Sequence, residues 1–376
     1  MAIFIFQFGL LQPFASLLNS QLPIAVLTVL LVVYALYINK LKVKLYVIVT
    51  FILITIFFML NSIINYDNTN LTILIYMEFI AKSFVAFYIA SLDVDEKDLY
   101  SAFIKLALLN FLAIFIFPFV DFLDSMNYMR FGYAMLPSVL IFMFAAFYKK
   151  FNPYWFVLAM IALFITVVYG SRGPIIGLLF MVILLFLFTN KLSLIKKYFI
   201  AGFSSILLII VSIIITNQNV ILEIINYLNT KGINTYALIK LEVMFSQGIA
   251  ESSSGRNIIY ATLIEYIKES PIWGNGIGHT QQTLDFTAHN LFLQILVESG
   301  VIGLIVWLLI WFYVGYKYIL ISHLKYDYLF NIATLLIAVS IGRLLISSDY
   351  WFRPEYWFVL SLLLSFKVKK KNEQLK

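Results

Sequence analysis

The sequence predicts an all-α polytopic membrane protein with about twelve transmembrane helices and one large outer loop that carries short amphipathic helices. Three observations support this fold class. Of the 376 residues, 62% are hydrophobic, only 12% are charged, and apolar stretches of membrane-spanning length recur along the chain. Soluble proteins carry about 25% charged residues, so this chain has too little charge to cover a water-facing surface. A single soluble domain, a disordered chain and a disulfide scaffold are therefore excluded.

Each predicted span is a stretch close to the length that a transmembrane helix needs, about 20 apolar residues. The stretches lie near residues 2–18, 22–38, 44–64, 71–92, 99–118, 131–147, 153–170, 173–189, 198–216, 288–318, 329–347 and 355–367. The first is short and carries Pro13. Because no repeat period and no Pro- or Ser-rich linker divides the chain, we expect residues 1–376 to form one integral membrane domain.

Lysines predict the orientation of the spans. Clusters of lysines follow spans 2, 6, 8, 10 and 12, as Lys40, Lys149 and Lys191 do after spans 2, 6 and 8. Cytoplasmic loops are enriched in lysine and arginine, so both termini are predicted to be cytoplasmic. Residues 217–287, between spans 9 and 10, then form the large outer loop.

All five arginines fall on the opposite, outer side of this map: Arg130, Arg172, Arg256, Arg343 and Arg353. An arginine at membrane depth costs roughly 3 kcal/mol on insertion scales. Any one of them is also explained by a snorkelling or loop position. The set of five favours a function, because the planar guanidinium group binds phosphate through two parallel hydrogen bonds. We therefore expect a phosphate or diphosphate ligand at the outer leaflet.

Span 10 predicts a candidate base. If one continuous helix begins at Ala288, His289 and Gly300 lie on one helical face. Glycine on that face allows another helix to approach closely. His289 would then stand at the outer mouth of the packed helix, where it could accept a proton from a substrate. The alternative is an interfacial anchor.

A second anion site is predicted in the outer loop. Serines at 252–254 are typical N-cap residues and Pro271 ends the following helix, so Arg256 lies in its first turn. Helix N-termini attract anions. Arg172 occupies the same position at the start of span 8, and the two arginines could bind one diphosphate. The helix has one apolar face, suited to the membrane surface: Ile259, Leu263 and Ile267. The Gly-rich segment at 274–278, which follows this helix, is interpreted as a flexible turn.

Four motifs make the chain resemble the O-antigen ligase and polymerase superfamily of bacterial envelope glycosyltransferases. They are Ser-Arg-Gly at 171–173, Ser-Gly-Arg at 254–256, Pro-Ile-Trp-Gly-Asn-Gly at 271–276, and the run from His-Asn to Glu-Ser-Gly at 289–300. The strong resemblance covers roughly residues 168–305, while the first six spans match only in hydropathy. Twelve spans with a large loop between spans 9 and 10 are also similar to that family.

This resemblance implies a GT-C-like enzyme of the bacterial inner membrane with its active site facing the periplasm. In the family, arginines matching Arg172 and Arg256 hold an undecaprenyl diphosphate, and the histidine matching His289 serves the acceptor hydroxyl. No metal and no other cofactor is implied. Arg343 falls where the family ligases carry an arginine, although its flanking residues match poorly. Further candidates for substrate binding are Arg130, Arg353, Asn290 and Glu298.

The predicted function is an O-antigen or related polysaccharide polymerase. It would transfer an undecaprenyl-diphosphate-linked glycan to the non-reducing end of another lipid-linked repeat unit, with inversion of the anomeric carbon. The alternative is a ligase that transfers the glycan to lipid A-core. The expected partners are the lipid-linked oligosaccharide donor and acceptor, the lipid bilayer, a chain-length regulator and a flippase. Nucleic acid is not an expected partner.

Three other hypotheses remain open at this point. The acidic pair Asp93 and Asp95 resembles the metal-binding motif of cytoplasm-facing enzymes that use nucleotide sugars, although it also suits a helix N-terminus. A polyprenol-sugar flippase or exporter would need outer cations and many spans too, but neither repeats nor midplane charges indicate one. Finally, a metal could bind at His279, Asp285 and His289, although their spacing is unlike that of zinc sites.

Overall fold

The computed structural model describes residues 1–65, 69–115, 128–147, 151–169, 173–188, 219, 222–223, 226–227, 230, 256–324, 326–346 and 349–367. All regular secondary structure in these residues is helical, and they contain no strand. The helices are α1 (Ala2–Leu10), α2 (Gln12–Leu17), α3 (Leu22–Ile38), α4 (Leu45–Ile64), α5 (Thr69–Ala90, π-helical at Ile80–Phe84), α6 (Glu96–Phe115), α7 (Tyr128–Phe147), α8 (Pro153–Tyr169), α9 (Gly173–Phe188), α10 (Arg256–Glu269), α11 (His279–Leu284), α12 (Leu291–His323), α13 (Asp327–Leu344) and α14 (Pro354–Ser365).

Six of these described helices are long and apolar enough to cross a membrane, namely α4, α5, α6, α7, α12 and α13. The apolar helices α3, α8 and α9 are shorter. This architecture agrees with the predicted polytopic membrane protein. The number of twelve spans stays a prediction, and the stretch near 198–216 lies outside the described residues.

The first and last predicted spans form short helices. The first stretch bends at Leu11 and forms α1 and α2, of nine and six residues. The last forms α14, whose twelve residues extend about 18 Å at the usual helical rise, less than the thickness of a hydrocarbon core. Nearly all of α14 is buried between other helices. Helix α14 is therefore enclosed by protein, and it runs beside α13 from Glu355, which pairs with Arg343, to Phe366, which packs on Tyr326.

The core lies around α7, α13 and α14. Helix α13 packs against α9, and α14 packs against α5 and α13. By contrast, α3 and α4 turn many large aliphatic side chains outward. Outward apolar surface is expected where the solvent is lipid. The central helices are thus enclosed, and their ends position the polar groups described next.

Helix α12 is broken at Gly300, where φ is +62° and ψ is −163°. The prediction of one continuous helix from Ala288 is therefore wrong. At about 1.5 Å per residue, a straight α12 would measure about 50 Å, well beyond a hydrocarbon thickness of about 30 Å. The part after Gly300 is long enough to span by itself, and residues 291–299 form a separate short segment.

Candidate active site

Helix α10 packs along residues 291–299 of α12 through its apolar face. Leu263 is fully buried against Ala288 and Val297, and Ile259 and Ile267 pack at the edge of this cluster. The expectation that this face lies on the membrane surface is therefore wrong, because protein covers it. As a consequence, the first turn of α10 has a fixed place beside the start of α12.

His289 lies immediately before α12 and not within it. Its φ is +52°, outside the helical region. Asn290 is the N-cap, and its side-chain oxygen accepts hydrogen bonds from the N–H groups of Phe292 and Leu293 at 3.0 and 3.1 Å. The predicted common helical face of His289 and Gly300 is consequently wrong. Asn290, a candidate for substrate binding, uses its side-chain oxygen to cap the helix.

Two contacts orient His289. The Tyr260 hydroxyl of α10 donates to the His289 carbonyl at 3.3 Å, and Oγ1 of Thr287 lies 3.2 Å from Nδ1 of the ring. Arg256 is the first residue of α10, one turn before Tyr260, so the two side chains leave the same side of the helix. The structure therefore brings the candidate base and one candidate arginine to the same end of the α10–α12 pair.

The turn that follows α10 packs against the break at Gly300. The N–H of Val301 donates to the carbonyl of Pro271 at 2.9 Å. Gly274 has a φ of +77° and Gly300 a φ of +62°, and a Cβ on either residue would overlap the backbone of the other segment. Only glycine meets both demands at these positions. The turn interpreted as flexible is therefore closely packed.

Glu298 is buried just before the break, with 1% of its surface exposed. Its Oε1 accepts from Gln294 Nε2 at 2.8 Å, and its Oε2 accepts from Trp351 Nε1 at 2.9 Å and from the Tyr350 hydroxyl at 3.1 Å. Buried carboxylates need such partners. Glu298 thereby ties α12 to residues 349–352, which connect α13 to α14.

Asp349 is the second buried carboxylate of this region. Gln281 Nε2 of α11 donates to its Oδ2 at 2.7 Å, and the Trp351 N–H donates to its Oδ1 at 2.8 Å. Burial raises the pKa of Asp349, whereas its hydrogen bonds and the charge of Arg353 oppose the rise. The α11 segment, which leads into α12, is thus joined directly to the segment that carries Arg353.

Arg343 and Arg353 converge where α13 ends and α14 begins. The guanidinium group of Arg343 lies over the Tyr133 ring of α7, 4.8 Å from its centre, and its Nη1 is 3.7 Å from Oε1 of Glu355. Burial, followed by the charge of Arg343, lowers the pKa of Arg353 to about 9. An anion bound beside Arg353 would favour its charged form and oppose this lowering.

The start of α9 packs against Tyr133, whose ring contacts Arg343. Gly173 is buried so closely against Tyr133 that a Cβ would overlap the tyrosine hydroxyl. Arg172, the preceding residue, lies outside the described residues, as do the serines at 252–254. Arg130 is exposed in the first turn of α7, three residues before Tyr133. Arg130 and Tyr133 are therefore neighbours on the surface of α7.

The alternative metal sites receive no support. In the described part of the chain, no three His, Asp or Glu side chains gather in a way that could hold a metal ion. The His279 ring packs edge-on against Tyr266, with 4.7 Å between centres, and Asp285 is exposed. Burial lowers the pKa of His279, which favours the neutral ring.

The acidic residues before α6 make structural contacts. Asp93 pairs with Lys44 at 2.7 Å. Oδ1 of Asp95 accepts from the N–H groups of Lys97 and Asp98 at 2.8 and 3.1 Å. These are the hydrogen bonds of a helix N-terminus, in agreement with the interpretation that the acidic residues here complement the helix dipole.

Sequence reasoning missed Gln281 and Asp349, which join the two halves of the site. One feature of the sequence could have identified Asp349 as a candidate: it is a carboxylate beside an aromatic run at the end of an apolar stretch. Gln281 has no such feature, because a glutamine in a polar loop is ordinary. Their contact links residues that are 68 positions apart.

Comparison with known proteins adds an independent result. Residues 155–308 match the family model described as O-antigen ligase. No curated protein matches the chain. The matched range holds Arg172, Arg256, His289 and Glu298, and it ends before Arg343 and Arg353. This match covers less than half of the chain, and it agrees with the resemblance to the O-antigen polymerase and ligase superfamily that the motifs indicate.

Proposed function

We propose that this chain is a polysaccharide polymerase that uses a lipid-diphosphate sugar. It transfers an undecaprenyl-diphosphate-linked glycan to the non-reducing end of another lipid-linked repeat unit. The reaction takes place at the outer face of the bacterial inner membrane, with both termini in the cytoplasm and residues 217–287 outside. The observation that carries the proposal is the Gln281–Asp349 hydrogen bond of 2.7 Å, because it joins the segment leading to His289 to the segment of Arg353.

The arginines bind the donor diphosphate in this proposal. Arg343 is near enough to Arg353 for its charge to lower the pKa of Arg353. Arg256 adds its charge at a helix N-terminus, where backbone dipoles also favour an anion. Arg172 completes the set. Fixed cations in a medium of low dielectric stabilise the charge that develops on the leaving diphosphate, and they need no reorganisation during the reaction.

His289 accepts the proton of the incoming hydroxyl. In the tautomer in which Nδ1 donates its hydrogen to Oγ1 of Thr287, the lone pair for this proton is on Nε2. The hydroxyl oxygen bonds to the anomeric carbon as the bond from that carbon to the diphosphate oxygen breaks. Attack from the face opposite the diphosphate inverts the anomeric carbon. General base catalysis of this kind contributes about a hundredfold to ten-thousandfold to the rate.

A ligase is the second candidate, because the matching family model is described as O-antigen ligase. It uses the same donor and the same site, and lipid A-core is its acceptor. The choice between the two depends on the acceptor alone.

The test uses the purified full-length protein and its undecaprenyl-diphosphate-linked repeat unit, isolated from cells that lack the protein. The products are separated by size, with lipid A-core absent or present. A ladder of longer lipid-linked products from the repeat unit alone supports the polymerase. Transfer that requires lipid A-core supports the ligase instead. Movement of the lipid between leaflets of a vesicle without any glycan transfer would indicate a flippase and overturn both.

A further inference from the structure

Ile277 lies in the turn between α10 and α11, and side chains from two other helices bind both polar groups of its backbone. Its N–H donates to Oδ1 of Asn61 in α4 at 2.8 Å, and its carbonyl accepts from Oγ1 of Thr72 in α5 at 3.1 Å. Both hydrogen bonds are buried, and they connect residues 216 and 205 positions apart. The turn is thus held by the N-terminal half of the chain, outside the family match.

The composition of α4 makes this contact informative. Its buried residues are Val47, Phe58 and Asn61, so Asn61 is the polar member of that set. An amide buried in an apolar helix is costly unless a partner satisfies it. Thr72 is similarly buried, with 1% of its surface exposed. The two side chains meet the donor and the acceptor of a single residue, which fixes the position and the orientation of that backbone segment.

The segment fixed in this way is the one that enters the proposed site. Gly278 follows Ile277 and is the N-cap of α11. Gln281, one turn further on, donates to Asp349. The chain then leaves α11 and reaches His289 before α12. A shift of Ile277 would therefore be transmitted along α11 to the approach of His289.

We infer that Asn61 and Thr72 are positioning residues of the transfer reaction, which hold the 274–289 segment in register through the backbone of Ile277. This inference rests on the proposed function. It assigns a role to α4 and α5, which carry none of the candidate catalytic side chains. We call the two hydrogen bonds from Asn61 and Thr72 to the backbone of Ile277 the clamp. The donor diphosphate is bound by arginines on other elements, so the clamp acts on turnover and leaves donor binding unaffected.

The test compares Thr72→Val and Asn61→Leu with two matched variants in the purified full-length protein. Thr72→Ser keeps the hydroxyl. Thr55→Val removes a hydroxyl that also joins α4 to α5, through a 2.7 Å contact with Tyr76. Thr55 lies six residues before Asn61, about 9 Å along α4. We expect Thr72→Val and Asn61→Leu to lower kcat about tenfold, the effect of losing one positioning hydrogen bond, at an unchanged KM for the lipid-linked donor. Thr72→Ser and Thr55→Val should keep the kcat of the unaltered protein.

Hydrogen exchange supplies a readout that is independent of activity. Peptides covering residues 274–289 should exchange faster in Thr72→Val than in Thr55→Val. If the unaltered protein shows no glycan transfer but exchange rises in this way, the clamp is supported and the proposed function is not. If Thr72→Val and Thr55→Val lower kcat equally, or if neither clamp variant changes kcat or exchange, the inference is overturned.

Discussion

The side-chain amide of Gln281 donates a 2.7 Å hydrogen bond to Oδ2 of Asp349, which lies 68 residues further along the chain. Gln281 belongs to the short helix that leads towards His289, and Asp349 lies at the start of the segment that reaches Arg353. In the proposed mechanism, this contact links the segment that leads to His289 with the segment that carries Arg353. It also makes the geometry of the site sensitive to a single amide group.

The first prediction removes that amide. Gln281→Leu should lower kcat about tenfold to a hundredfold, because a hydrogen bond to a charged group contributes about 1.5–3 kcal/mol. The hydrogen bond also favours the ionised carboxylate and opposes the effect of burial. Its loss should raise the pKa of Asp349 further, so the decline of activity on the acid side should shift to higher pH.

The measurement for this variant is the pH dependence of kcat. Gln282→Met, at the adjacent and exposed position, is the control and should match the unaltered protein. An acid-side decline at the same pH in Gln281→Leu and in the control would contradict the role assigned to Asp349.

The second prediction concerns the arginine pair. Arg353→Lys keeps a basic group but loses the planar fork, so the KM for the lipid-linked donor should rise about tenfold, and Arg353→Ala should raise it further. Initial rates at varied donor concentration give both constants. Replacing the exposed Lys268 in the last turn of α10 by alanine is the control. A lower kcat at constant KM would show that Arg353 does not bind the donor.

The third prediction separates charge from hydrogen bonding at Glu298. Leucine at this position leaves donors on Gln294, Tyr350 and Trp351 without their acceptor, and each unpaired buried group costs about 1–3 kcal/mol. Glutamine at position 298 still presents an oxygen to Tyr350 and Trp351. Rotation of the Gln294 amide then provides an oxygen for the N–H groups of the introduced glutamine.

Thermal unfolding in detergent measures this difference. Glu298→Leu should unfold several degrees lower than the unaltered protein, and Glu298→Gln should stay close to it. Equal losses in both variants would indicate that the carboxylate charge itself is required.

The fourth prediction tests the helix break. Gly300→Ala should lower the free energy of unfolding by about 1–3 kcal/mol, because the residue has a positive φ and its Cβ would overlap Ile272. Gly315 lies in the same helix with open space around it, so Gly315→Ala should be neutral or slightly stabilising. Unfolding midpoints of the two variants give the comparison. A stable Gly300→Ala protein would mean that α12 is straight at this point.

The sequence was sufficient for the features that depend on composition and local pattern. Low charge and long apolar stretches predict the helical membrane architecture, and the motifs around Arg256 and His289 predict the superfamily that residues 155–308 match. The break at Gly300 was missed because a glycine in an apolar helix is also typical of close helix packing. Its positive φ is imposed by the turn at Pro271, 29 residues earlier.

Contacts between distant segments could also not be predicted from the sequence. Asn61 and Thr72 resemble ordinary polar residues of membrane helices, and only the folded chain brings them to Ile277. Glu298 was assigned as a candidate for substrate binding because it belongs to a motif. Its three protein donors come from one turn of its own helix and from residues 350–351. The residues that support a site thus depend on tertiary packing more than on local pattern.

The most direct test of the account is a single-turnover assay of glycan transfer with His289→Ala, using the undecaprenyl-diphosphate-linked repeat unit as donor. His323→Ala, at an exposed position at the far end of α12, is the matched control. The account predicts that His289→Ala slows transfer by about a hundredfold or more, as expected for loss of a general base, while donor binding and the control stay unchanged. Transfer by His289→Ala at the unaltered rate would contradict the proposed site.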